Sequence, residues 1–286
     1  MTSIIDYFAH IPTSHRSAIL IGGIALFWMI ESAVPLFRFE YKKWKHALLN
    51  IFFTLTTVVV NVLLAFILVY AADWATAQEI GLLPALPTMP LWLYALLGLM
   101  LLDLIGAYFA HWVEHKVRWM WQFHLIHHSD THIDTTSANR HHPGESVIRF
   151  VFTTAAVLIL GTPMWLVFMY QSFSVVFSQF NHANIALPRK LDTVLSWVIV
   201  SPDMHKVHHH YEQPWTDANY GNIFSIWDRL FGTFMRVDRD EIVYGVDTHP
   251  DAREHNTLFG LLKMPFLPYR APKGADKSKA DTPSVS

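Results

Sequence analysis

Histidine recurs in this chain at spacings that place several imidazole rings side by side. The motifs HWVEH, HLIHH and HKVHH repeat histidine four residues apart, and the last two add a third ring at i+3. These positions share one face of a helix. The histidines of the three motifs are His111, His115, His124, His127, His128, His205, His208 and His209. Each motif therefore presents its rings to one point, as binding of a metal ion requires.

Clustered neutral imidazoles suit iron, zinc, copper or nickel, and the chain has no cysteine that could add a thiolate ligand. One metal ion takes about four to six ligands. With His182 and one of the adjacent pair His141 and His142, the chain supplies ten candidate histidines. We therefore expect two metal ions that share one cluster. A solvated or pH-sensing histidine patch would not need the same spacing twice.

Two other functions remain open for these histidines. HWVEH also fits the inverted zinc-protease motif H-x-x-E-H, in which Glu114 would be the general base of a zinc metallohydrolase. Such an enzyme needs only three protein ligands, so the other histidines would have no role. A non-enzymatic metal transporter or sensor would place ionisable residues within several membrane spans. Here most histidines follow the apolar runs or lie between them.

The composition indicates a membrane protein. Of 286 residues, 52% are apolar and 15% are charged, whereas soluble domains average about 25% charged residues. The net charge of −2 gives no strong field that would attract nucleic acid, so we expect no nucleic-acid partner. The absence of cysteine also excludes disulfides and cysteine nucleophiles.

Three apolar runs are long enough to cross a bilayer, which takes about 20 residues. They cover 17–37, 47–72 and 91–110, and we predict three transmembrane helices within 17–110, after an N-terminal segment 1–16. The loop 38–45 carries Arg38, Lys42, Lys43 and Lys45, which predicts a cytoplasmic position. The loop 73–90 has no Lys or Arg and belongs on the outer side. The third helix then delivers the histidine-box region 111–145 to the cytoplasm.

A fourth apolar stretch, 146–180, has Gly161, Thr162 and Pro163 near its middle. A metal–imidazole bond is about 2 Å long, so histidines before and after this stretch must meet on one side. We predict two half-length helices that form a re-entrant hairpin, a cytoplasmic histidine-box domain at 181–270 and a disordered tail at 271–286. The predicted fold is an all-α integral membrane protein with three transmembrane helices and this hairpin, capped by a cytoplasmic histidine-rich helical domain.

The ordered set HWVEH, FHLIHHSD, RHHPGE, NHANIALP, DMHKVHHH and NYGNIFSIWDRLFGTF resembles the fatty acid hydroxylase superfamily. Within it, the chain resembles the bacterial sterol desaturase-like and alkylglycerol monooxygenase-like members. The resemblance runs from about Leu91 to Val237, roughly half of the chain. It implies an integral membrane non-haem di-iron oxygenase that uses O2 and reducing equivalents to hydroxylate or desaturate a lipid, such as a sterol, a fatty acyl chain or an ether lipid.

The resemblance also implies the ligands and cofactors. The metal ligands would be His111, His115, His124, His127, His128, His142, His182, His205, His208 and His209. His142 takes the tenth place because Ser178 stands where some members have a second histidine, and the adjacent His141 replaces an aromatic residue. Two iron ions, or zinc as a substitute, would bind there. The external electron donor would be a separate electron-transfer protein or a pterin. We expect a bacterial inner membrane or the endoplasmic reticulum, with the active site facing the cytoplasm.

Ligating imidazoles usually donate their other N–H to a carboxylate or a carbonyl. The candidate partners are Asp103, Glu114, Asp130, Asp203, Asp217 and Asn219. Asp103 ranks first, because a carboxylate inside a membrane segment is costly and usually functional. The histidines outside the ligand pattern are expected at the surface, and they are His10, His15, His46, His132, His210, His249 and His255. Trp227 and Phe231 are predicted to pack the C-terminal domain against the helices.

Overall fold

The computed structural model describes residues 3–273, and in this range it holds helices and three isolated β-bridges. The α-helices are α1 (Ile4–Ala9), α2 (Thr13–Ala33), α3 (Lys43–Ala77), α4 (Leu91–Asp103), α5 (Ala110–Lys116), α6 (Arg118–His128), α7 (Pro143–Leu160), α8 (Met164–His182), α9 (Arg189–Leu195), α10 (Pro202–His208), α11 (Ile226–Leu230), α12 (Ala252–His255) and α13 (Leu258–Lys263). The all-α prediction holds for these residues. The predicted disordered tail lies outside them from residue 274 onward.

Four helical segments are long and apolar enough to cross a membrane. They are Thr13–Ala33, Lys43–Ala77, Leu91–Lys116 and Pro143–Leu160. The third comprises α4, a π-helical turn at Leu104–Phe109 and α5, so its last turns carry the first histidine motif. The three runs predicted as transmembrane helices are therefore helical, and the chain is a multi-pass membrane protein.

The apolar stretch 146–180 forms two helices that are longer than the half-length helices predicted. α7 has 18 residues and α8 has 19, so each extends for about 27 Å. α7 begins three residues earlier than the apolar run, because Pro143 occupies its first turn and the side chain of His142 caps its N-terminus. Gly161 ends α7 with a positive φ of 66°, and Pro163 precedes α8. The predicted turn position is correct.

The turn between α7 and α8 packs against the loop between α3 and α4. The backbone N–H groups of Leu82 and Leu83 donate to the carbonyls of Ile159 and Leu160, at 3.1 and 2.8 Å. A side chain at Gly81 would collide with the backbone at Gly161. The turn therefore lies at the end of α3 that is far from the histidines, next to the loop predicted to be on the outer side.

The C-terminal segment is fixed to the membrane helices by polar and aromatic contacts. Asp103, fully buried near the end of α4, accepts the backbone N–H groups of Ile223 and Phe224 at 3.2 and 3.1 Å. The indole N–H of Trp227 donates to the same carboxylate at 3.1 Å. Phe231 stacks on Tyr108 at 5.3 Å between ring centroids. These contacts agree with the predicted packing of Trp227 and Phe231 against the helices.

Candidate metal centre

Five histidines form a first group between α5, α6 and α10. Their ligand nitrogens all lie within 4.8 Å of one another. The members are His111, His115, His124, His128 and His208. The Nε2 atoms of His111 and His124 are 3.0 Å apart, and those of His115 and His128 are 3.1 Å apart. Both rings of HWVEH join this group, but of the three rings of HLIHH only those of His124 and His128 do. The expectation that each motif presents all its rings to one point is therefore wrong for HLIHH.

Four histidines form a second group, which brings together α6, the end of α8 and α10. The members are His127, His182, His205 and His209. The Nε2 atom of His182 lies 3.1 Å from that of His127 and 3.0 Å from that of His205. The groups adjoin, because the rings of His128 and His209 stack at 4.8 Å between centroids. Histidines before and after the α7–α8 hairpin therefore meet in one volume.

The hydrogen bonds of the Nδ1 atoms determine what the Nε2 atoms can do. The Nδ1 atoms of His111 and His208 lie 2.9 and 2.7 Å from the carbonyl oxygens of Tyr220 and Ala218. A carbonyl can only accept, so each ring must carry its proton on Nδ1 and a lone pair on Nε2. His182 is held in the same way by the Ser178 carbonyl at 2.7 Å.

Lone pairs of Nε2 atoms that face one another within a group are unfavourable unless a cation lies between them. Neutral imidazoles with protonated Nδ1 cannot hydrogen-bond to each other through Nε2. The Nε2 atom of His208 is buried and has no hydrogen-bond partner among the described residues. Nitrogens bound to one metal at about 2.0–2.1 Å lie roughly 3.0–3.4 Å apart. The contacting Nε2 pairs in both groups, at 3.0–3.2 Å, fit this requirement.

The surroundings also keep the imidazoles neutral. Burial, and secondly the nearby imidazoles His208 and His115, hold the pKa of His128 well below its ordinary value. Burial and the adjacent His182 lower the pKa of His205 in the same direction. A neutral ring is the form that binds a metal ion. Trp121 and Tyr220 pack against His115 at 4.7 and 5.1 Å between ring centroids and help to exclude water.

Among the predicted partners of the ligands, Asp217 contacts a histidine of the groups directly. Its Oδ1 accepts the Nδ1–H of His115 at 3.1 Å, and its Oδ2 pairs with Lys116 at 2.6 Å. Burial raises the pKa of Asp217, but the contacts with His115 and Lys116 outweigh burial and lower this pKa to about 2. Glu114 lies 4.0 Å from Nδ1 of His124 and pairs with Arg149 at 2.8 Å. It therefore stands behind His124, on the side away from the converging nitrogens.

The other predicted partners stabilise the framework and contact no histidine of the two groups. Asp103 binds the backbone near Phe224, as described above. Asp130 accepts hydrogen bonds from His46 and from Ser137, at 2.9 and 2.6 Å. Asp203 pairs with Arg239. The side chain of Asn219 joins the backbone of Met204 to that of Met235, at 2.8 and 2.9 Å. None of these four side chains therefore donates to or accepts from a histidine of the two groups.

Two residues near the ligands escaped the sequence analysis. Glu145, within the quoted RHHPGE stretch, accepts the Nδ1–H of His124 at 2.7 Å and is itself held by Arg149 at 2.9 Å. Lys206, within HKVHH, is fully buried and its ammonium group donates to three carbonyls at the C-terminus of α8. It caps that helix beside His182. The sequence signals that could have identified them are the position of Glu145 just after a histidine motif and that of Lys206 within one.

His142 does not join either group. It caps α7 by accepting the N–H of Gly144 at 3.0 Å, and its ring packs between Phe123 and Phe266. Its neighbour His141 lies 4.9 Å from His127 between ring centroids, at the edge of the second group. The structure therefore places His141, and not the predicted His142, next to the other nine histidines.

Several histidines predicted at the surface are buried, and this part of the prediction is wrong. His46, His210, His249 and His255 are all less than 10% exposed. His46 lies between two carboxylates, 2.9 Å from Asp130 and 3.3 Å from Asp134. Its partners are more than 80 residues away in the chain, so periodicity near His46 could not indicate them. His10 and His15 are exposed, as expected.

Known proteins with similar sequences place this arrangement in a family context. The chain is 28% identical to alkylglycerol monooxygenase of Danio rerio over 176 residues, which cover 62% of this chain and 37% of that protein. It is 27% identical to ornithine lipid hydroxylase OlsE of Rhizobium tropici over 151 residues, 52% of this chain and 44% of that protein. The chain thus spans less than half the length of these relatives. No solved structure shows a significant match.

Residues 95–233 match the fatty acid hydroxylase family. This region contains the histidine motifs and both groups described above, together with the contacts of Asp103. The family predicted from the order of the histidine motifs is therefore confirmed. The chain carries a fatty acid hydroxylase domain.

Proposed function

We propose that this protein is a membrane-bound non-haem di-iron oxygenase that uses O2 and reducing equivalents to hydroxylate or desaturate a lipid. The observation that carries the proposal is the close approach of buried Nε2 atoms in two adjoining groups of histidines. Imidazole ligands without thiolates suit iron among other metals, and the match to the fatty acid hydroxylase family favours O2 chemistry. The two relatives, a monooxygenase and a lipid hydroxylase, favour hydroxylation. A sterol, a fatty acyl chain or an ether lipid is the proposed substrate class.

Two iron ions, when bound, would supply the activation of O2 near a lipid C–H bond. The chain's own residues hold the imidazoles in place. Two carbonyls and two carboxylates each fix the proton of one ring on Nδ1. They belong to Tyr220, Ala218, Glu145 and Asp217, which contact His111, His208, His124 and His115 in that order. This directs the Nε2 lone pairs inward and reduces the reorganisation required for metal binding.

We propose that the first group binds one metal and the second group the other, with His141 as the tenth ligand in place of His142. His141 is partly buried, and the centre of its ring lies 4.9 Å from that of His127. A rotation of its side chain would bring a ring nitrogen toward the second group. His142, which caps α7 through Nδ1, would have to break that cap to reach either group.

The position of Glu114 argues against a zinc metallohydrolase. A general base for hydrolysis must reach a metal-bound water on the Nε2 side of the ligands. Glu114 lies near Nδ1 of His124 instead and is paired with Arg149. The hydrolase would also leave most of the nine grouped histidines without a role. A transporter is disfavoured because the two groups meet at one end of the membrane helices, next to α6 and α10.

We propose that α7 and α8 cross the membrane fully rather than dip into it. Their turn contacts the loop after α3, which should lie on the opposite side from the histidines. The Arg38–Lys45 loop predicts that the histidine side is cytoplasmic. We propose that the membrane is a bacterial inner membrane or that of the endoplasmic reticulum. The electron donor would be a separate electron-transfer protein or a pterin reductant.

An O2 dependence test addresses the proposed reaction. Membranes containing the protein should form an oxidised lipid and consume O2 only when a reductant is supplied, and a chelator should stop both. The matched control is the Glu145→Ala, His208→Ala double variant, which lacks one ligand and the carboxylate behind another. Product formation at full rate under strict anaerobiosis would refute the oxygenase and favour hydrolysis.

A further inference from the structure

Six apolar side chains of the C-terminal segment form an exposed patch, which we call the 194–231 patch. They come from α9 and the residues after it, and from α11 and the residue after it. Their exposed fractions are 66% for Val194, 64% for Trp197, 62% for Val198, 43% for Ile226, 67% for Leu230 and 45% for Phe231. Contiguous apolar exposure of this kind marks a protein or membrane contact.

The two stretches of the patch are joined into one surface by backbone and stacking contacts. The N–H of Ser225 donates to the carbonyl of Val198 at 3.2 Å. The guanidinium group of Arg229 lies 4.6 Å from the centre of the Trp197 ring. The exposed side chains on both sides of these contacts therefore belong to the same face.

The patch is continuous with a membrane helix. The ring of Phe231 packs at a tilt against that of Phe109, 5.3 Å away between centroids, and Phe109 is itself 37% exposed. Phe109 follows Leu91 by 18 residues, about 27 Å along a helix, which is close to the hydrocarbon thickness of about 30 Å. If Leu91 lies at one boundary of the bilayer, Phe109 lies at the other. The patch is then at the depth of the lipid headgroups.

Basic side chains border the patch. Arg229 and Arg236 both stack on Phe234, at 3.9 and 5.4 Å, and Arg236 also donates to Ser196 at 3.0 Å. Lys190 is exposed on α9. Cations beside exposed aromatic and aliphatic side chains are typical of a surface that inserts shallowly and binds lipid phosphates.

We propose that the 194–231 patch rests in the headgroup layer of the bilayer, on the side where the two histidine groups lie. Its apolar side chains enter the boundary with the acyl chains, and its cations contact phosphates. α10, which supplies His205 and His208, lies in the chain between the two stretches of the patch. The bilayer would thus hold this helix beside the ends of the membrane helices. The inference does not depend on which reaction the metals support.

Fluorescence quenching of single cysteines tests this docking, since the chain has no native cysteine. Val198→Cys and Leu230→Cys carry a polarity-sensitive fluorophore, and the full-length protein is reconstituted in phosphatidylcholine and phosphatidylglycerol vesicles. The matched control is Val243→Cys, an apolar residue of 52% exposure that follows the exposed Asp240 and Glu241. Metal content of each variant reports folding independently of docking.

Both patch labels should be quenched by lipids with a nitroxide near the headgroup at least about twofold more than the Val243 label, because docked faces enter about 5–10 Å into the boundary. Iodide in solution should show the opposite order. Equal quenching of all three labels by iodide would overturn the proposal. So would protection of the patch labels that disappears on dilution of the protein in the vesicles, because it would identify a second copy as the occupant.

Discussion

The three hydrogen bonds accepted by Asp103 make a quantitative prediction about what fixes the C-terminal segment to the membrane helices. Asp103→Ala leaves the N–H groups of Ile223 and Phe224 and the indole of Trp227 without their acceptor. An orphaned buried donor costs about 1–3 kcal/mol, and release of the buried carboxylate offsets part of the sum. Three orphaned donors, less this offset, give an expected loss of about 3–5 kcal/mol.

Thermal unfolding of the purified protein in detergent measures this loss. A cost of about 3–5 kcal/mol corresponds to a decrease of roughly 6–10 °C in apparent Tm for a chain of this length. Trp227→Phe removes one of the three donors and should lower Tm by roughly 2 °C. Asp73→Ala, at an exposed position of α3, is the control and should leave Tm unchanged. A Tm for Asp103→Ala within the error of the control would refute the proposed role of the carboxylate.

The ligand assignment, the carboxylate behind His124 and the topology each make a further prediction. His208→Ala should abolish activity and lower the metal content, because it removes an inward-facing Nε2. The control His15→Ala, at an exposed position, should change neither. Equal metal content of the two variants would contradict the assignment. Glu145→Gln should retain most of the bound metal, since the amide oxygen can still accept the Nδ1–H, while Glu145→Ala should lose a larger share. A reversed order would exclude that hydrogen bond as the reason for the effect. In intact cells, an impermeant thiol reagent should label Gln78→Cys and leave Lys43→Cys unlabelled; the opposite pattern would place the histidine groups outside.

Much of the fold follows from length and apolarity in the sequence, because about 20 apolar residues have few alternatives to a membrane helix. The meeting of the two histidine groups could also be predicted, since a short metal–nitrogen bond requires both sides of 146–180 to return to one place. The two helices were predicted at half length because the apolar stretch 146–180 is short for two full spans. α7 begins before this stretch, at Pro143, and its first turns carry Glu145 and Arg149. In the structure these charges pair with each other and with Glu114, which makes their burial possible.

The division of the ligands could not be predicted from spacing. His127 and His128 are neighbours in the chain, but successive residues of a helix point about 100° apart, and the two rings join different groups. Some of the partners that fix the rings were also hidden, because they are backbone carbonyls, such as that of Tyr220 for His111. A carbonyl has no sequence signature. The same reason explains why the burial of Lys206 escaped notice.

Metal analysis of the purified protein tests the central claim most directly. The two adjoining groups predict two metal ions per chain after reconstitution with iron. His208→Ala, in the first group, and His205→Ala, in the second, should each retain about one ion, since each variant leaves the other group complete. A single zinc ion per chain, bound equally by the native protein and by the His205→Ala variant, would contradict the account.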